Sequence, residues 1–223
     1  LFYPENIKSI KHNDLVLEVG PGSTPHNRSD EFLELDFSSD ETRISQRGGV
    51  ERDPSFGARK VHFYQGGKFP FEDNSFDYVI CSHVIEHVQN PEFFVNELLR
   101  VSGGRGYIEY PLATYEYLYN FDVHIQLVKY DFIENKLIYL PKNQTSLSEF
   151  SPISDLMRRS LELGWGDLCA ANKPLFFEGF EFERSFSLER AKCLNELLPN
   201  AELIKRKSFF RRGISYLFAK LRL

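Results

Sequence analysis

Leu15-Val16-Leu17-Glu18-Val19-Gly20-Pro21-Gly22-Ser23 is a short apolar run that carries one acid and then breaks into glycines. An apolar run without polar alternation reads as a parallel strand covered on both faces. Gly20 and Gly22 then permit a tight turn where backbone can approach a ligand. In an open α/β sheet, ligands bind at such carboxyl ends of strands. Two glycines one residue apart are a weak signal alone, so the features downstream decide the reading.

Phe32-Leu33-Glu34-Leu35-Asp36 is a second apolar run ending in an acid. A carboxylate at the tip of a neighbouring strand can accept hydrogen bonds from both hydroxyls of a ribose, which makes Asp36 the ribose candidate. The run Phe69-Pro70-Phe71-Glu72-Asp73-Asn74-Ser75-Phe76-Asp77-Tyr78-Val79-Ile80-Cys81-Ser82-His83-Val84-Ile85-Glu86-His87-Val88 follows, and after a helical stretch comes Gly103-Gly104. In this order the segments resemble the class I S-adenosylmethionine-dependent methyltransferases, in particular the small-molecule, type 11-like branch. The resemblance covers about residues 12 to 112, and the run from Phe69 to Val88 is its most specific part.

The resemblance implies an α/β fold, a Rossmann-like doubly wound sheet, with S-adenosyl-L-methionine as cofactor. It places Glu18, Gly20 and Gly22 at the amino-acid end of that molecule, Asp36 at the ribose, Gln65 and Phe69 at the base, and Ser82 and His83 beside the methyl group. Relatives often carry an acid where this chain has Gln65, whose amide oxygen can still accept from the adenine amino group.

The chain has 223 residues, enough for one domain with a sizeable core or a domain plus an appendage. Its net charge of −5 argues against a nucleic-acid partner, which would require many phosphates to be neutralised. Cys81, Cys169 and Cys193 form no C-x-x-C pair, so neither a disulfide framework nor a zinc knuckle is expected, and a cytoplasmic location fits. No run is long and apolar enough to span a bilayer, and Leu1-Phe2-Tyr3-Pro4 lacks the layout of a signal peptide.

Between Gly22 and Phe32 the expected crossover helix lacks an apolar stripe, so it is predicted to be one or two turns at most. His26 in this loop reads either as a surface residue or as facing the ligand. From Ser38 to Gly67 the chain is polar, and Arg43, Arg47, Arg52 and Arg59 are either ordinary loop charges or holders of an anionic acceptor. Val61–Tyr64 reads as the third strand, Phe76–Ser82 as the fourth and Arg105–Tyr110 as the fifth. Asn90-Pro91 predicts an N-cap and first turn of a helix with Phe93, Phe94, Leu98 and Leu99 on one face, stopped at Gly103.

His83, Glu86 and His87 admit three readings: a structural Glu-His pair, a metal site, or His83 as general base. Three ligands on one turn would be strained, and no metal is assigned. His124 is the second candidate base, so His83 and His124 are the catalytic candidates. Tyr110, Tyr115, Tyr117, Tyr119 and His124 are dense enough to line an acceptor pocket, and the aromatics here equally read as plain core.

Val123–Tyr130 and Lys136–Pro141 predict an added β-hairpin lid, and Ser154–Leu163 a helix ended by Gly164-Trp165-Gly166. Phe176–Glu183 predicts a strand with one buried face. The basic, apolar segment Ser208–Leu223 predicts a helix that docks on the domain or on a second copy, a homodimer, or touches a membrane surface without stable insertion.

The expected organisation is a shortened-crossover core over 1–112, a hairpin and helix acceptor lid over 113–170, and a C-terminal strand and helices over 171–223. The expected function is O-methylation of a small polar acceptor, such as a sugar, phosphorylated or nucleotide-linked precursor of a bacterial surface glycan. A quinone or lipid methyltransferase and a catalytically silent cofactor-binding module are the alternatives.

Overall fold

Val16–Val19 (β1) has no side chain more than 6% exposed, because it lies in the middle of a sheet covered on both faces. The computed structural model describes residues 1–36, 55–147 and 151–199. In chain order its other strands are Glu31–Leu35 (β2), Lys60–Tyr64 (β3), Tyr78–Ser82 (β4), Gly106–Pro111 (β5), Gln126–Asp131 (β6), Lys136–Pro141 (β7), Phe177–Phe182 (β8) and Ser187–Arg190 (β9). The main sheet has the order β3-β2-β1-β4-β5-β8, with β1 to β5 parallel and β8 antiparallel at the edge. Strand order therefore reverses at β1, which makes the crevice between the β1 and β4 tips the switch point where ligands bind in such sheets.

Between β1 and β2 the described chain forms no helix at all, shorter than the one or two turns expected. The connection is closed by polar bonds instead: Glu18 Oε2 accepts from the His26 amide and the Ser29 hydroxyl, at 2.9 and 2.7 Å. Arg59 donates to the carbonyls of His26, Ser29 and Phe56 and lies over the Phe32 ring. Arg59 is thus engaged within the protein, while Arg43, Arg47 and Arg52 lie outside the described residues, as does Ser208–Leu223.

The segment before β4 is held down by one helix, Pro91–Ser102 (α1). Asn90 Oδ1 caps it by accepting from the Phe93 amide, and Gly103 ends it at φ +61°. Glu97 accepts from the Phe69 amide, and Arg100 donates to the Phe69 and Phe71 carbonyls and to Asp73. The buried helix face is Phe94, Val95, Leu98 and Val101, a true helical stripe. Phe93, expected on that face, is 42% exposed because it lies one residue off the stripe.

The opposite sheet face is covered by the N-terminal segment, where Tyr3, Ile7 and Ile10 pack on Val16, Tyr78, Ile80 and Tyr107. Two strand carboxylates pin that segment: Glu109 accepts from the amides of Phe2 and Tyr3, and Glu181 from those of Lys8 and Ser9. The expected hairpin is present as β6 and β7, joined by β9 into a second sheet. Val128, Tyr130 and Leu137 sit in the same core as Leu17 and Ile108, so this sheet is packed onto the first.

Ala113–Tyr119 (α2) follows β5, and Ser151–Ser160 (α3) begins three residues before the helix expected there. A π-helical turn over Leu161–Trp165 holds Gly164 at φ +94°, and Gly166–Ala171 (α4) then resumes the helix. The glycines therefore kink the helical stretch where a stop was expected. Among the described residues no helix is long and apolar enough to cross a membrane. The three cysteines are unpaired, as expected.

Candidate active site

Gly20 turns the chain at the β1 tip with φ +62°, and its amide donates to the Leu33 carbonyl. A Cβ at Gly20 would stand 2.5 Å from Val84 Cγ2, so the glycine turn is pressed against the turn that follows β4. At Gly22, by contrast, no heavy atom lies within 4 Å of a Cβ position, leaving open space over the turn. Asp36 stands exposed at the β2 tip, and its Oδ2 accepts from Gln65 Nε2, just past β3, at 2.6 Å. The carboxyl edge of the sheet thus brings together Gly20, Asp36, Gln65 and, from β4, Ser82 and His83. Phe69 is 1% exposed and packs edge-on against Tyr64 and Phe94, with its ring in the core.

His83 has φ +56°, a left-handed conformation uncommon for a residue with a Cβ. Its Nδ1 lies 3.4 Å from Glu86 Oε1 and its Nε2 3.2 Å from Glu109 Oε1, both ion-pair contacts outside hydrogen-bond alignment. Burial by itself pushes the imidazole pKa down, but the Glu109 and Glu86 carboxylates outweigh it and lift it to about 9. That shift favours the charged form of the ring at neutral pH. Ser82 Oγ donates to the same Glu109 oxygen at 3.1 Å.

Glu86 is fully buried, and neither of its carboxylate oxygens has a hydrogen-bond partner among the described residues. Burial would raise its pKa, but His83, His87 and His124 hold it at about 2. Around it runs a chain of rings. Phe177 touches His83 at 5.6 Å between centroids and Tyr115 at 4.9 Å; Phe121 touches Tyr115 at 5.9 Å and His124 at 5.2 Å; His124 meets His87 at 4.7 Å. Of the tyrosines expected at a pocket, Tyr115 belongs to this wall. Tyr110 and Tyr119 are fully buried, bonded to Glu178 and facing Cys169, and Tyr117 packs in the second sheet's core.

Residues 17–109 match the family model described as a methyltransferase domain. That match takes in a little under half of the chain, which over this stretch resembles a methyltransferase domain. No curated protein sequence matches it significantly. Among solved structures it is similar to the YcgJ protein of Bacillus subtilis, at 22% identity and TM-score 0.32, covering 47% of each chain. It is also similar to an S-adenosylmethionine-dependent methyltransferase of Methanosarcina mazei, at 16% identity and TM-score 0.35, covering 59% of this chain and 73% of that one. A third, from Aquifex aeolicus, shares 18% identity at TM-score 0.27 over 44% of this chain and 55% of that one. The alignment thus spans about half the length of YcgJ.

The residues at the sheet edge would suit S-adenosylmethionine in two respects. Gly22 leaves the space that a ligand's backbone-facing end requires, and Asp36 presents an exposed carboxylate of the kind that accepts from a ribose diol. Glu18 Oε2 is already engaged in closing the crossover. Two residues of the site escaped the sequence reading. Glu109, the partner of His83, is an acid inside a wholly buried strand, and that mismatch with its surroundings was the available signal. Glu116, the partner of His124, lies eight residues from it on a different element and gave none.

Proposed function

We propose that the protein transfers the methyl group of S-adenosylmethionine to an oxygen of a small polar acceptor, with a sugar hydroxyl as first choice. The observation that carries this reading is the open glycine turn at Gly22 beside the exposed Asp36 carboxylate, at the switch point of the sheet. The cofactor supplies an activated methyl group on a sulfonium. The protein's share is alignment, exclusion of water and management of the acceptor proton.

For the acceptor, the ring wall from His83 through Phe177, Tyr115 and Phe121 to His124 supports a flat-sided polar molecule that can lie against aromatic faces. An imidazolium at His83 beside the acceptor would favour ionisation of its hydroxyl by charge, a role distinct from proton abstraction. His124 stands at the far end of that wall, its Nδ1 bonded to Glu116. A surface-glycan precursor, phosphorylated or nucleotide-linked, is a finer version of the same reading. Its support, and that of a lipid acceptor, would come from segments outside the described residues.

Calorimetric titration with S-adenosylmethionine, followed by mass detection of a methylated product across sugars, nucleotide sugars and quinols, tests the proposal. Saturable binding with a mass gain of one methyl on a sugar-class acceptor is the expected result. Binding without turnover on any acceptor would favour the silent module, and no binding would end the reading.

A further inference from the structure

We propose that Glu86, His87 and His124 form a binding site for a divalent metal ion of the zinc class, which ties the second sheet to the cofactor sheet. The donor atoms of the three residues lie within 4.8 Å of one another. His87 Nε2 stands 3.9 Å from Glu86 Oε1, and the two imidazoles meet edge to face at 4.7 Å between centroids. Zinc-class ions hold nitrogen and oxygen donors at about 2.0–2.2 Å, so a closure of the rings by about 1 Å completes the set.

The tautomers are fixed in the sense that ligation requires. His87 Nδ1 contacts the Val123 carbonyl at 3.0 Å; a carbonyl only accepts, so Nδ1 carries the proton and Nε2 presents a lone pair. His124 Nδ1 is bonded to the buried Glu116 carboxylate, which likewise leaves its Nε2 bare. Glu116 is held in turn by Lys142 Nζ at 3.2 Å. A histidine whose far nitrogen is anchored by a carbonyl or carboxylate is the usual second layer of a metal site.

The independent observation is Glu86. A fully buried carboxylate with neither oxygen hydrogen-bonded is costly unless something of opposite charge completes it. His83 Nδ1 stands 3.4 Å from Oε1 and His87 Nε2 3.9 Å from the same oxygen. The segments carrying the set are also locked together. Ile125 N–H donates to the Glu86 carbonyl at 2.7 Å, and Gln126 Nε2 to the Val88 carbonyl at 3.1 Å. Both histidines keep side-chain exposure of 16% and 13%, which gives an ion a way in. Two imidazoles and one carboxylate suit zinc and its neighbours, and do not suit magnesium, which prefers oxygen donors.

The inference does not depend on the methyl-transfer reading. To test it, the whole protein is stripped with a chelator, checked by circular dichroism and titrated with ZnCl2 against a chromophoric competitor, with Co2+ as a second, visible probe. One equivalent bound, unaffected by a large excess of Mg2+, is expected, with the absorption of a four-coordinate Co2+ site. The double variant His87→Ala/His124→Ala should lose stoichiometric binding, His83→Ala should keep it, and Glu116→Gln should weaken it about 10–100-fold. Failure of the wild-type protein to take up one ion, displacement by Mg2+, or unchanged binding in the double variant would overturn the proposal. So would a loss in His83→Ala equal to that in the double variant. The wild-type titration stands whether or not a variant folds.

Discussion

His83 Nε2 stands 3.2 Å from Glu109 Oε1, so the residue at the β4 tip is paired with the inner acid of β5. Glu109 also accepts from the Phe2 and Tyr3 amides and the Tyr107 hydroxyl, and burial of a carboxylate so surrounded is outweighed by its partners, which hold its pKa at about 2. The signs follow from linkage. Glu109's folded value is below its unfolded 4.5, so its contribution is present above about pH 4.5 and lost as pH falls toward 2. That of His83 is raised from 6.5 to about 9, so its contribution is complete below about 6.5 and lost as pH rises through 9. Stability from this pair should therefore be greatest between pH 4.5 and 6.5. Removing one partner of a buried pair costs about 3–5 kcal/mol. Glu109→Gln should show that loss in denaturant unfolding at pH 6, and an NMR titration should find the His83 pKa well below 9. An unshifted His83 would contradict the pairing.

Gly20 and Gly22 should separate folding from ligand binding. Gly20→Ala meets Val84 and forces a side chain into the left-handed region, which itself costs about 1–2 kcal/mol, so melting temperature should fall. Trimming the contact with Val84→Ala should restore part of that loss. Gly22→Ala has room and an ordinary φ, so it should melt like the parent while binding S-adenosylmethionine more weakly. Equal affinity of Gly22→Ala and the parent would remove Gly22 from the ligand's path.

What could be read in the sequence followed from local rules. Leu17 and Val19 announced a buried strand, Asn90 and Gly103 announced the two ends of a helix, and the order of glycine turn, acid and aromatic run announced the sheet. The second sheet was half legible, since β6 and β7 alternate, but its third strand, Ser187–Arg190, pairs across a long separation with nothing local to show it. The site's electrostatics were the least legible. Glu109 and Glu86 converge on His83 from separate elements, and no spacing rule encodes that.

Asp36 should contribute to ligand binding through its charge. Its Oδ2 takes one hydrogen bond from Gln65, and the carboxylate retains acceptor sites for a diol. Asp36→Ala should weaken S-adenosylmethionine binding by about 1–3 kcal/mol in calorimetry, with melting temperature nearly unchanged at so exposed a position. Gln65→Ala should cost less, because water can replace an exposed donor. A larger loss in Gln65→Ala than in Asp36→Ala would reverse the roles given to the two.

Arg59 offers a test of whether cations near the β2–β3 edge recognise an anionic acceptor. Its guanidinium donates to the carbonyls of His26 and Ser29 at 3.2 and 3.1 Å and to that of Phe56 at 3.0 Å, and it lies 4.6 Å from the Phe32 ring centre. These contacts occupy the fork that would otherwise grip a phosphate and substitute for the helix missing between β1 and β2. Arg59→Ala should therefore destabilise the protein by about 1.5–3 kcal/mol, the range for hydrogen bonds to a charged group. Its KM values for neutral and phosphorylated acceptors should change by the same factor. Arg59→Lys should rescue little, because an ammonium cannot span three carbonyls with the planar geometry of the fork. A selective rise in KM for phosphorylated acceptors, with unfolding unchanged, would instead place Arg59 at the acceptor and leave the closure of the crossover to Glu18 and Ser29 alone.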